Sequence, residues 1–101
     1  ACSQEATPAL DDFARCLTQS GATMYGASWC PHCNDQKEMF GSSVHLVNYV
    51  ECATPDGGGQ TVPCQAAGIT AYPTWIFGDG TQESGLLTFA KLSEKTGCTA
   101  P

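Results

Sequence analysis

The tetrapeptide Cys30-Pro31-His32-Cys33, set behind Tyr25-Gly26-Ala27-Ser28-Trp29, constrains this chain more than any other stretch of its 101 residues. Two cysteines separated by two residues at the mouth of a helix can close into a small disulfide ring and reopen. Pro31 suits the first helical position, because its fixed φ fits a helix and its missing N–H is not needed there. Cys30 then falls at the N-cap, where free backbone N–H groups and the positive end of the helix dipole favour a thiolate. A thiolate is the nucleophile of thiol–disulfide exchange, so this placement makes Cys30 the attacking sulfur and Cys33 the resolving one. A protonated His32 favours the thiolate further. Cys30, Pro31, His32 and Cys33 therefore form the candidate catalytic set, with Cys30 expected to be exposed and Cys33 buried.

Three other readings of the pair are weaker. Structural zinc takes four Cys or His ligands, usually as two close pairs. The other candidates here are Cys52 and Cys64, which do not form a second CxxC. A soft-metal module for Cu(I) or zinc lacks a third ligand near the pair, so no metal site is assigned. A purely structural disulfide has little reason to sit behind a tryptophan and ahead of a helix with proline at its first position.

The flanking segments supply a framework. Ala22–Gly26 is short, bounded and mostly apolar, the pattern of a buried strand. Pro31–Phe40 reads as a helix that Gly41 ends, and Leu46–Val50 as a second strand. Thr7-Pro8 opens an earlier helix whose Leu10, Phe13, Ala14 and Leu17 share one face. Asp79-Gly80 suits a tight hairpin between two short strands, and a last helix spans about 88–96 before Gly97. Tyr25, Tyr49, Trp75, Ile76 and Phe77 read as core. Trp29 is the aromatic expected at the rim of the site, and His45 reads as a surface or strand-end residue.

Gly68-Ile69, with Tyr72-Pro73-Thr74 ahead of Trp75-Ile76-Phe77, completes a set of blocks that resembles the thioredoxin superfamily. In that superfamily a cis-proline preceding a strand lies against the CxxC. An arbitrary X–Pro bond is cis only about one time in twenty, so this expectation comes from the resemblance. Tyr25–Cys33, Gln36–Gly41, Tyr49–Cys52 and Tyr72–Trp75 together are similar to the thioredoxin-like domain associated with bacterial and plant homologues of vitamin K epoxide reductase. The resemblance covers roughly residues 9–98.

The resemblance implies an α/β fold, with a central mixed sheet flanked by helices over residues 9–101 and a tail or linker at 1–8. It further implies a thiol–disulfide oxidoreductase outside the cytoplasm, in a periplasm, on an outer membrane face or in a thylakoid-like lumen. Its partners would be cysteine-containing protein substrates and a membrane protein like vitamin K epoxide reductase. Trp29, Tyr72 and Pro73 would form the substrate-binding edge. One departure is plain: many thioredoxin-like proteins carry a buried carboxylate six residues before the first active cysteine, where this chain has Met24. The nearest acids in sequence, Asp35 and Glu38, fall on the following helix and are expected to face solvent. Water or His32 is left to move the proton of Cys33.

Composition fits a single small domain. Arg15, Lys37, Lys91 and Lys95 face ten acidic residues, for a net charge of −6, so no basic patch for nucleic acid exists. No apolar run approaches bilayer length, and no signal peptide is apparent, so an exported form would be seen here after processing. No cofactor is implied.

Seven cysteines in so short a chain argue for an oxidising compartment. Between Cys52 and Cys64 lies a loop rich in Gly and Pro. A bridge closing it would stabilise by about 3 kcal/mol through lost chain entropy, and the related domains also carry cysteines at these places. A structural Cys52–Cys64 disulfide is expected over two buried thiols. Cys16 and Cys98 fall at the pole opposite the CxxC. Either a bridge or two free thiols fits them, because the two helices they follow usually cover opposite sheet faces. Cys2 sits in Ala1-Cys2-Ser3-Gln4, which resembles the surroundings of a bacterial lipoprotein cleavage site. A lipid anchor there competes with a plain linker or an artificial remnant.

Overall fold

The computed structural model describes residues 8–101. Helix α1 (Pro8–Gln19) buries Leu10, Phe13, Ala14 and Leu17, the face that its apolar spacing predicts. It feeds strand β1 (Thr23–Gly26), whose burial alternates residue by residue. Helix α2 (Pro31–Phe40) follows. Gly41, at φ 55°, turns the chain out of α2 into a 3-10 segment, Gly41–Leu46. Strand β2 (Tyr49–Glu51), helix α3 (Val62–Ala66), strands β3 (Thr74–Ile76) and β4 (Gln82–Ser84), and helix α4 (Phe89–Thr96) complete the described chain. The side chain of Thr88 caps α4 by accepting from the Lys91 N–H, and Gly97 closes it at φ 79°.

The four strands form one mixed sheet in the order β2-β1-β3-β4. β1 runs parallel to β2 and antiparallel to β3, and β3 and β4 form a hairpin across Asp79-Gly80. Register sorts the side chains into two faces. Met24, Tyr49 and Trp75 lie side by side on one, and Tyr25, Val50 and Thr74 on the other. The first face carries the main core, with Phe13, Phe40, Leu87 and Leu92. The second carries a smaller cluster around Cys52, Cys64 and Ile69, with Tyr25, Val50 and Ile76 against it. This is the mixed-sheet α/β architecture expected of a thioredoxin-like fold.

Two expectations change. Leu46–Val50 is not one strand: Leu46 ends the 3-10 segment, and β2 begins at Tyr49. A short apolar run does not distinguish a strand from a buried turn, and Val44, Leu46 and Val47 reach the core from the turn. α1 and α4 do not cover opposite faces. The ring of Phe13 lies 5.2 Å from that of Phe89 and 6.4 Å from that of Phe40, and Phe40 lies 6.4 Å from Trp75. α1, α2 and α4 therefore share one face, which brings Cys16 and Cys98 into a disulfide. The expected Cys52–Cys64 disulfide is present, and the loop it closes is held by more than that bridge. The end of the loop forms α3, Ala53 pairs with Gln60, and Thr61 bonds back to Glu51 and Cys52. Cys2, Thr7 and most of the tail at 1–8 lie outside the described residues.

Candidate active site

β1 ends at Gly26, and the turn 27–30 lifts the chain into α2, with the Cys30 N–H bonded to the Ala27 carbonyl. Cys30 is the N-cap, in extended conformation at φ −85° and ψ 120°, and Pro31 follows in the first turn of α2. Pro31 and His32 are exposed on that turn. Both Cys30 and Cys33 are free thiols, whereas Cys16, Cys52, Cys64 and Cys98 are bonded in pairs. Cys33 is fully buried, but Cys30 retains only 6% of its surface and is not the open thiol that a capping position suggests. The cause lies in the opposite loop. The Tyr72–Pro73 bond is cis, and the Tyr72 carbonyl lies 3.8 Å from Cys30 Sγ, accepting a weak bond from the thiol.

Above this contact Trp29, 58% exposed, meets Tyr72 edge-on at 5.8 Å. The Tyr72 hydroxyl accepts from Gln60 Nε2, which also donates to the Ile69 carbonyl. Pro73 is buried and leads into β3 at Thr74. Tyr72 thus lies against the Cys30 sulfur, with Trp29 beside its ring and Pro73 next in the chain. A buried glutamine steadies the helix that carries both cysteines. Gln36 Oε1 accepts from the Trp75 indole and the Leu87 N–H, while Nε2 donates to the Leu87 carbonyl.

Behind Cys33 lies a polar cluster. Loss of solvation pushes the Cys33 thiol up to about 11. The Ala27 N–H, 3.5 Å from the sulfur, acts against this rise, the neighbouring Cys30 sulfur adds to it, and the Lys37 ammonium opposes it. Tyr49 donates its hydroxyl proton to Glu51 Oε1 at 2.6 Å. Burial first, and then this bond, push the phenol above its ordinary range, so it stays protonated. Glu51 Oε2 accepts from the backbone N–H groups of Ser28 and Ala53. Desolvation works to raise the Glu51 carboxyl, but its bonds from Tyr49, Ser28 and Ala53 prevail and hold it below its ordinary value. The Lys37 ammonium sits 4.0 Å from the centre of the Tyr49 ring.

No known family profile matches the chain. Over 100 residues it is 44% identical to the thiol-disulfide oxidoreductase LTO1 of Arabidopsis thaliana. That alignment takes in 94% of this chain but 26% of the relative, so the chain spans about a quarter of the relative's length. This relationship and the pair of free thiols at a helix mouth together support thiol–disulfide redox chemistry.

Sequence reasoning found the two sulfurs and the loop that faces them, but it missed what lies behind Cys33. Tyr49, expected in the core, does pack against it, and its ring also lies beside the Cys33 sulfur. Asp35 and Glu38 are indeed exposed, and the acid nearest the site is Glu51, on the neighbouring strand. A signal existed: Tyr49 and Glu51 alternate on a strand parallel to β1, and Glu51 stands in register with Gly26, just before the active turn.

Proposed function

We propose that this chain is an enzyme, a thiol–disulfide oxidoreductase in which Cys30 exchanges disulfides with protein cysteines and Cys33 resolves the mixed disulfide. The observation that carries this reading is the asymmetry of the pair. Cys30 caps α2 against the Tyr72 carbonyl, and Cys33 is sealed behind it with its thiol pushed up to about 11. Such a pair reacts through one sulfur and releases through the other. An extended substrate segment would lie along Tyr72 and Pro73, pairing with the backbone there because proline offers no competing N–H. The exposed face of Trp29 would flank it.

The favoured direction is oxidation of exported proteins. A Pro-His dipeptide between the cysteines stabilises the reduced form, and a stabilised reduced form makes the disulfide the better oxidant, as in DsbA. The electrons would pass to a membrane protein like vitamin K epoxide reductase. The setting would be extracytoplasmic, consistent with two disulfides outside the reactive pair. The second reading, a reductive electron donor to another extracytoplasmic thiol protein, uses the same two sulfurs in reverse.

Trapping tests the assignment. Cys33→Ser, incubated with a protein that carries oxidised cysteines, should accumulate mixed disulfides through Cys30, and Cys30→Ser should accumulate few. Equal trapping by both variants would sink the division of roles.

A further inference from the structure

The position where a buried carboxylate would serve Cys33 holds Met24, which is apolar and fully buried in the main core. The space behind the sulfur is filled from β2 and α2. A Cβ added at Gly26 would lie 3.1 Å from Cys33 Sγ, 3.1 Å from Tyr49 Cε1 and 3.2 Å from the Tyr49 hydroxyl. Sulfur and phenol therefore flank one gap that only glycine leaves open. Lys37, one helical turn beyond Cys33 on α2 and on the same side of the helix, places its ammonium over that same ring.

We propose that Lys37, seated on the ring of Tyr49, supplies the positive charge that stabilises the Cys33 thiolate during resolution and release. Tyr49 is the positioning residue. It offers the ring face to the ammonium, a favourable cation–π arrangement, and its hydroxyl engages the Glu51 carboxylate. That carboxylate is occupied further by the Ser28 and Ala53 N–H groups. The groups facing Cys33 are thus the Cys30 sulfur, the Ala27 N–H, Lys37 from α2 and Tyr49 from β2, with Glu51 behind Tyr49; His32 points to solvent on the first turn. Lys37 is the cation in this set, and its field lowers the Cys33 thiol against the effect of burial.

The inference rests on the redox reading above and concerns its second half. In a Cys30–glutathione mixed disulfide, Cys33 gives its proton to water and its thiolate attacks Cys30 Sγ. The Cys30–Cys33 bond forms as the bond to glutathione breaks. Glutathione leaves with the electron pair and takes a proton from water. Each unit by which the Cys33 thiol rises cuts its thiolate fraction tenfold but raises its intrinsic nucleophilicity about threefold, leaving resolution about threefold slower at neutral pH.

The test is a stopped-flow pH series of glutathione release from the preformed Cys30 adduct. It compares the parent protein, Lys37→Met, Lys37→Arg, Tyr49→Leu and Tyr49→Phe. Lys37→Met and Tyr49→Leu should shift the pH midpoint of release upward and slow release at pH 7, about threefold for each unit of that shift. Lys37→Arg and Tyr49→Phe, which keep the charge and the ring, should follow the parent. A Lys37→Met profile that superimposes on the parent overturns the assignment while leaving the redox reading intact. A Tyr49→Phe shift as large as that of Tyr49→Leu overturns the role of the ring. If the parent itself releases no glutathione, the redox reading falls, and this inference with it.

Discussion

The two structural disulfides differ in the length of chain they close, and that difference fixes a measurable ranking. Cys52–Cys64 spans 12 residues and Cys16–Cys98 spans 82. With the usual logarithmic loop-closure entropy, those spans correspond to about 2.8 and about 4.5 kcal/mol of stabilisation at room temperature, a difference of about 1.7 kcal/mol. Replacing each pair by alanine removes two sulfurs in either case, from buried positions except at the partly buried Cys16, so the packing loss offsets only part of the difference. The longer bridge also joins the ends of α1 and α4, which pack on the same face as α2, whereas loop 53–63 keeps the bonds of Thr61 and the Ala53–Gln60 pairing when its bridge is gone. Both considerations point the same way. Urea unfolding followed by circular dichroism should show Cys16→Ala/Cys98→Ala less stable than Cys52→Ala/Cys64→Ala by about 1.5–2 kcal/mol. A domain of ordinary stability, about 5–15 kcal/mol, would lose a large share of its margin in the first variant. Equal midpoints, or a larger loss from the short bridge, would refute the loop-length argument and the placement of α1 against α4.

Three further outcomes follow from the site. His32→Ala should make the Cys30–Cys33 disulfide harder to reduce, because the imidazole beside the thiolate is lost; an unchanged or more oxidising potential, measured by equilibration with dithiothreitol, would contradict this. Gln36→Leu should destabilise by about 2–4 kcal/mol, since the Trp75 indole and both Leu87 backbone groups lose their partner in the core, and thermal unfolding would read it. The Glu51 carboxyl is held below its ordinary value of 4.5 in the folded chain. Its stabilisation is therefore present above the unfolded value and disappears as pH falls through the folded one. Glu51→Gln should flatten the acid limb of the stability–pH curve, and an unchanged limb would show the carboxylate to be idle.

What could be read from the sequence was what local chemistry dictates. Pro31 at a helix start and Gly97 after a helix end are local signals, as is the α1 stripe of Leu10, Phe13, Ala14 and Leu17, and each element stands where those signals put it. The run Leu46–Val50 misled because contact with the core does not specify strand geometry, and Val44, Leu46 and Val47 reach the core from a turn. The face on which α1 packs was not legible at all. It depends on how Phe13, Phe40 and Phe89 interlock across three helices distant in sequence. The site divides in the same way. Cys30, Cys33 and the Tyr72–Pro73 loop carry recognisable spacing, whereas Lys37, Tyr49 and Glu51 meet only through the parallel pairing of β2 with β1 and a glycine that leaves room between them.

The central claim is that Cys30 and Cys33 form a redox couple poised to oxidise other thiols. The most direct measurement equilibrates the chain with graded glutathione buffers and reads the Cys30–Cys33 state by mass after alkylation. The account predicts a potential above the thioredoxin value of about −270 mV, in the range of disulfide donors such as protein disulfide isomerase. A pair that stays oxidised to potentials below about −300 mV, as structural disulfides do, would contradict it.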